Sequence, residues 1–269
     1  MRSGTQTVEK ALQVLATVAS RNTGWLLTDL AHECAFDLAT THRIVKCLAG
    51  AGLVYRRPEN RHYLAGPELY NLGLAASYHT KFVALARKLA DATASITGHV
   101  ASVFLRSAGD FVCVARAGRT SLKGLTIQIG VRRPLMVSAG GVAMLLALTP
   151  EQREAIVADN LARIGRLSAD KAREVQRMWR RSQQVGYGLN LDDVVLGVTA
   201  IAVPLRLSEP WRLGSLTVAG PSTSFTRKSI DSTKATLTAR ASAFEGQTVN
   251  ALASAFDLGQ LVAADPDVL

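Results

Sequence analysis

Cysteine is scarce: Cys34, Cys47 and Cys113 are the only three in a chain of 269 residues. They are too few and too scattered for a disulfide framework or a zinc site, and they read as reduced intracellular thiols. Long apolar runs are missing as well. The longest, around Val142–Leu148, falls far short of the ~20 residues a membrane-spanning helix needs. The N-terminus has no charged–apolar–cleavage pattern, so a cytoplasmic protein with no membrane partner is expected. Histidine is sparse, and four of the five precede residue 80. There is no P-loop, dinucleotide fingerprint, HExxH, paired CxxC or nucleophile elbow. His99 and Cys113 have no orienting acid tied to them by spacing. Catalysis, a metal and a cofactor are therefore not expected.

What the chain does have is apolar content, 48%, enough for a sizeable core. The length suits two domains. Formal net charge is +10, which makes an acidic partner plausible. Residues 1–66 carry 8 Lys+Arg against 5 Asp+Glu, so most of the excess lies further along. Charge alone does not locate a nucleic-acid site.

The pattern near the start is more specific. Val8, Ala11, Leu12 and Leu15 recur at helical spacing, with Thr7 placed to cap them. Thr28 is placed to cap a short helix carrying Leu30, Ala31 and Cys34. Asp37 is placed to cap the next, because its carboxylate can accept from free backbone N–H groups. On that helix Thr41, Ile44, Val45 and Leu48 form a buried stripe, and Gly50 and Gly52 end it. Its other face carries Ala39, Thr40, Arg43 and Lys46, with His42 at the margin. Two β-prone runs follow, Leu53–Tyr55 and His62–Leu64. They are joined by a turn holding Arg56, Arg57 and Arg61.

Helix, helix, turn, helix and hairpin describe a winged helix-turn-helix. Its second turn-flanking helix fits the major groove. Small Ala39 would let the backbone approach, Arg43 and Lys46 would reach bases or phosphates, and the three hairpin arginines would touch the neighbouring backbone or minor groove. A charged helix face is also what a merely solvated helix shows. The agreement of cap, stripe, glycines and hairpin favours DNA.

Residues 67–93 read as connecting helices suited to dimerisation. From 94 to 247 the pattern is α/β. Strands are expected at Val100–Leu105, Phe111–Ala115, Leu125–Ile129, Ile201–Leu205 and Gly214–Ala219. Thr149 caps a helix with Pro150 at its first position, and an amphipathic helix spans Ala169–Val185. Residues 248–269 form a tail with little pattern after Phe256. Ser138, Ala139, Gly140 and Gly141 precede an apolar helix. Backbone N–H groups at such a start suit a carboxylate, and Leu125, Ile127 and Met136 would wall an apolar pocket beside them. A plain strand-to-helix turn would look the same.

An ordered series of segments then carries a resemblance over nearly the whole chain. It comprises TVEKALQVL, LTDLAHECAFDLATTHRIVKCLAGAGLV, RHYLAGPEL, VCVAR at 112–116, GVRRPLMVSAGGVAMLLAL at 130–148, GYGLNLDDVVLGVTAIAVPL at 186–205 and SLTVAGPS at 215–222. The chain resembles the IclR family of bacterial transcriptional regulators. The resemblance implies a mixed α/β (α+β) architecture: a winged helix-turn-helix, a helical linker and a GAF-like α/β effector-binding domain. It implies operator DNA, a small-molecule effector that is often a carboxylic or aromatic acid, and a homodimer or homotetramer. It places the effector at the backbone of Ala139 and Gly140, at Asn190 or Leu191 in the GY motif, and at Ala200, Thr217 and Ala219.

The departures are informative. Ala35-Phe36-Asp37-Leu38-Ala39 stands where the family often has Gly-Leu-Pro-Lys-Ser, so the operator is expected to differ. Asn190, Leu191, Ala200 and Ala219 make the pocket less polar, which favours a larger, more hydrophobic acid over one of two or three carbons. The competing reading is a metabolite-binding protein or enzyme whose N-terminal module serves only protein contacts.

Overall fold

Thr41, Ile44, Val45 and Leu48 turn inward from a single helix and meet Val14, Val18, Trp25, Leu30 and Cys34. Around that nucleus the computed structural model builds the first of two compact units, Met1–Thr80; the second is Lys81–Leu269. The structure describes residues 3–21, 23–75, 77–120, 127–208 and 212–263.

The first unit holds α1 (Ser3–Ala19), α2 (Leu27–Cys34), α3 (Leu38–Gly50), β1 (Val54–Arg56), β2 (Tyr63–Ala65) and α4 (Pro67–Ala75). In α1 the buried stripe is Val14 and Val18, flanked by half-buried Ala11 and Leu15. Val8 and Leu12, expected on that stripe, are 57% and 60% exposed. The 3.6-residue period is right, but its phase is set by the residues α1 meets. Thr7 lies inside α1 and is not its N-cap. Thr28 is likewise one residue into α2, whose N-cap is Leu26 with no side-chain bond. Ala35 ends α2 in the left-handed region at φ 56°. Its N–H donates to His32 O, and that of Phe36 to Ala31 O.

Asp37 caps α3 as the sequence predicts. Gly50 is still helical; Gly52, at φ +70°, makes the turn, with Leu53 N–H reaching back to Leu48 O at 3.0 Å. The hairpin pairs Val54 with Ala65 and Arg56 with Tyr63. Trp25 bridges the other edge of β2: Trp25 and Tyr63 exchange backbone hydrogen bonds of 3.0 and 2.8 Å.

In the second unit six strands form one antiparallel sheet: β3 (Val100–Ser107), β4 (Asp110–Ala117), β5 (Arg132–Pro134), β6 (Gly188–Leu191), β7 (Val198–Arg206) and β8 (Leu213–Pro221). Their order is β5-β4-β3-β8-β7-β6. Alternation along the strands separates two faces. One, including Ala101, Val103, Leu105, Ile201, Val203, Leu216 and Val218, packs on α5 (Ser77–Thr97) and α9 (Arg227–Ala263). The other meets α6 (Ala139–Leu146), α7 (Pro150–Leu167) and α8 (Ala169–Val185). A bulge at Val114 lets Val103 pair with Ala115 and Phe104 with Cys113. The bulge turns Phe111 and Cys113 to the same face as Phe104.

Thr149 caps α7 through Gln152 N–H, and Ser168 caps α8 through Lys171 N–H. Two further expectations are corrected. Ile127–Gly130 is not strand but loop and turn; residues 125 and 126 of that expected strand lie outside the described residues. Helix α9 continues past Phe256 to Ala263.

Candidate functional site

On α3 the side chains of Ala39, His42, Arg43 and Lys46 are exposed, with Thr40 half-buried. Asp37 Oδ1 accepts the Thr40 N–H at 2.7 Å and Oδ2 accepts the Thr40 hydroxyl at 2.7 Å. The two bonds, the hydroxyl's first, hold the Asp37 carboxyl below its ordinary value. The Thr40 hydroxyl proton is thus committed to the cap. Arg43 and Lys46 have no acidic partner among the described residues. In the hairpin the Arg56 guanidinium sits 5.5 Å over the Tyr63 ring. Arg61 projects at the turn in the left-handed region at φ 59°. Arg57 is half-buried.

Two hollows organise these side chains. His42, Arg56 and Arg61 share one of about 310 Å³ with Thr28 and Tyr63. Thr40 and Arg43 share another, of about 430 Å³, with Thr7, Lys10 and Cys47. Ala39, Lys46 and Arg57 line neither. Lys10 was not singled out by the sequence, because a lone lysine on α1 carries no signal until α1 and α3 pack.

The second unit contains a cavity of about 330 Å³ between the sheet and α6–α8. Its floor is the sheet face bearing Val100, Phe104, Ala200 and Ala219. One polar row crosses that floor on neighbouring strands: Arg116 pairs with Ser102, and Ser102 with Thr217. At the Thr217 end the row meets the start of α6. Ser138 Oγ accepts the Gly141 N–H at 3.0 Å and Ser138 O accepts the Val142 N–H at 3.0 Å. The N–H groups of Ala139 and Gly140 remain as first-turn donors. Gly140 is required there: a Cβ on it would stand 2.5 Å from Thr217 Oγ1 and 2.4 Å from Phe104 Cδ2. Gly188 lets β6 lie under α6, since a Cβ there would stand 2.0 Å from Ala139 O. Thr217 Oγ1 is buried and has no hydrogen-bond partner.

Arg116, Arg133 and Lys171 line the cavity, and no described acid does. Lys171 is engaged: it pairs with Glu174 at 2.9 Å and its Nζ donates to Val194 O. The loop between β6 and β7 roofs one side through Val194 and Val195. Buried Asp193 anchors it by pairing with Arg181 and, at 3.7 Å, with Arg177.

Residues 7–58 match the IclR helix-turn-helix domain, and residues 75–245 match the C-terminal domain of the bacterial transcriptional regulator IclR. The chain belongs to the IclR family. IclR-family members are transcriptional regulators, not enzymes, so the competing enzyme reading falls. The HTH-type transcriptional repressor AllR of Salmonella typhi is 22% identical over 226 residues, 84% of this chain and 83% of that protein. Among solved structures, the IclR family transcriptional regulator from Brucella abortus has a TM-score of 0.73 at 20% identity, covering 91% of this chain and 94% of that one. An IclR homolog from Microbacterium hydrocarbonoxydans, complexed with 4-hydroxybenzoate, has a TM-score of 0.67 at 19% identity, covering 91% and 99%. At these identities the structures share the fold.

Of the residues the sequence nominates for an IclR-family effector, Ile127, Ser138, Ala139, Asn190, Ala200, Thr217 and Ala219 line the cavity. Gly140 and Gly141 stand behind that wall, and a Cβ on Gly141 would lie 1.9 Å from Leu135 O. Met136 is fully buried in the adjoining core, its N–H donating to Asn160 Oδ1 at 3.1 Å. Leu125 lies outside the described residues. Arg116, Ser102 and Lys171 were missed, because the elements that gather them are far apart in the chain.

Asn190 is already bonded on both sides. Its Nδ2 donates to Val198 O at 2.7 Å and its Oδ1 accepts the Val194 N–H at 3.1 Å. Cys113 packs with Phe104 and Phe111. Burial pushes its thiol up to about 12, against the opposing pull of Arg116, so it is no nucleophile near neutrality. His99 instead stacks on Phe225 at 4.5 Å. No described helix is long and apolar enough to cross a membrane.

Proposed function

We propose that this IclR-family regulator binds its operator through α3 and the hairpin, and that an aromatic carboxylic acid filling the 330 Å³ cavity controls that binding. Thr40, Arg43 and Lys46 reach into the major groove; Arg56, Arg57 and Arg61 meet phosphates. The observation that carries the effector reading is Thr217: a buried hydroxyl without a partner, beside the N–H groups that open α6. A carboxylate at that place gains the hydroxyl, the N–H donors and the positive end of the helix together. The cavity lies at the small end of the ~300–1,000 Å³ typical of ligand sites, so one ring fills it and a two-carbon acid does not. The 4-hydroxybenzoate complex of the Microbacterium homolog supports an acid of this size.

The effector acts by binding one arrangement of a homodimer or homotetramer better than another, and so shifts the population competent for the two operator half-sites. Such work belongs in the cytoplasm. Fluorescence anisotropy on duplex DNA from upstream of the gene tests the whole reading, at two salt concentrations, with and without a panel of aromatic and aliphatic acids. Specific binding that weakens steeply with salt and shifts with an aromatic acid is expected. Binding that responds only to acids of two or three carbons would overturn the effector assignment. Affinity equal to that for random duplex would overturn the operator.

A further inference from the structure

The effector reading uses one end of the polar row and leaves the other end unexplained. Arg116 lines the cavity half-buried. It has no acidic partner among the described residues, and the cavity wall supplies no carboxylate. Its two fellow cations differ from it. Lys171 is spoken for by Glu174 and Val194 O, and Arg133 is exposed at the rim. A guanidinium drawn partly out of water without a counter-charge is unfavourable. Its planar fork suits a carboxylate held in two places at once.

The geometry also separates it from the first anion position. Arg116, Ser102 and Thr217 occupy three adjacent strands. The outer two are therefore two strand spacings apart, ~9.5 Å between backbones. Between them, on β3, Ser102 and the apolar side chains of Val100 and Phe104 form the floor.

We infer that the cavity holds two anion seats, one at Thr217 and the start of α6 and one at Arg116, and that the effector is a diacid whose two carboxylates flank an apolar spacer. This rests on the aromatic-acid reading above and adds a second charge to it. A monoacid fills the first seat and the apolar floor but leaves Arg116 unpaired. The second carboxylate is thus what separates the effector from its monoacid analogues, and Arg116 is the residue that reads it.

Calorimetric titration of the full chain with benzoate and with benzene-1,4-dicarboxylate tests this. The proteins are the wild type, Arg116→Gln, Arg116→Lys and Thr217→Val. The dicarboxylate should bind the wild type about tenfold or more tighter than benzoate, the scale of one well-placed charged hydrogen bond. Arg116→Gln should erase that difference while keeping benzoate affinity, which also shows the variant folded. Arg116→Lys should keep part of it, and Thr217→Val should weaken both ligands. Equal wild-type affinities, or a preference that survives Arg116→Gln, would overturn the second seat and leave the aromatic-acid reading standing. Binding of neither acid would overturn both.

Discussion

Asn190 Nδ2 donates to the carbonyl oxygen of Val198 at 2.7 Å, across the ends of the loop that roofs the cavity. The other side-chain atom, Oδ1, accepts from Val194 within that loop. Asparagine at this place therefore braces the loop, and one amide hydrogen and one Oδ1 lone pair are left for a ligand. Asn190→Asp would keep the acceptor and set a carboxylate oxygen against Val198 O. The variant should lose about 1–3 kcal/mol at neutral pH, the penalty of an unmade buried hydrogen bond. The deficit relative to wild type should shrink in acid, because the protonated carboxyl can donate again. Denaturant melts of both proteins across pH read this directly. A deficit independent of pH would show that the Val198 bond is not what Asn190 supplies.

Ala35 occupies the left-handed region at φ 56°, at the position where the family resemblance puts glycine. An L-residue there is disfavoured by ~1–2 kcal/mol, and glycine gives back part of that gain as ~0.5–1 kcal/mol of lost chain freedom. Ala35→Gly should therefore stabilise the helix-turn-helix slightly, by up to about 1 kcal/mol, without moving α3. Thermal unfolding of the two proteins at equal concentration is the check. A lower midpoint in the variant would mean that Ala35 supplies packing that outweighs the strain.

Asp37 gives a pH signature. Hydrogen bonds from Thr40 depress its folded-state carboxyl below the ordinary value. The stabilisation they represent is present above the unfolded carboxylate range and is lost as pH falls through the folded value. Asp37→Ala should therefore lower the unfolding midpoint most at neutral pH, and the gap to wild type should close in acid. The same variant frees the Thr40 hydroxyl, so operator contacts at that position should change with it. A gap that stays constant from neutral to acid would exclude the charged cap as the source.

How much of this was legible in the sequence follows from how local each feature is. The Asp37 cap, the Thr41–Leu48 stripe and the helix over Ala169–Val185 depend on neighbours within a few residues, and sequence reading places them correctly. The phase of α1 was misread because Val8 and Leu12 form as good a helical stripe as Val14 and Val18. Only the partners of α1 choose between them. Ile127 and Ile129 are β-branched yet lie in loop and turn, since no strand of the sheet pairs with them. Arg116 could not be singled out, because the polar row exists only after β4, β3 and β8 pair side by side. Asn190 was legible as a cavity residue, but its engagement with Val194 and Val198 is a property of the folded loop.

Arg43 and Arg61 divide the proposed DNA surface by function. Arg43 projects from the middle of α3, without an acidic partner among the described residues, where the proposed operator would set base edges; Arg61 stands at the hairpin turn, where the same proposal sets the phosphate chain. On the cognate operator Arg43→Ala should cost about 1–3 kcal/mol and relax preference at one base pair. Arg61→Ala should weaken binding to every duplex alike and reduce the slope of log affinity against log salt by about one. Arg56, held over the Tyr63 ring, is already positioned, so its loss should resemble that of Arg61 with a larger effect. Anisotropy titrations on the operator, on single-base variants and on random duplex, each at several salt concentrations, separate the two classes. An Arg43→Ala loss that is uniform over all sequences and flattens the salt slope would move Arg43 from the bases to the backbone. The base reading would then fall to Lys46 and to Thr40.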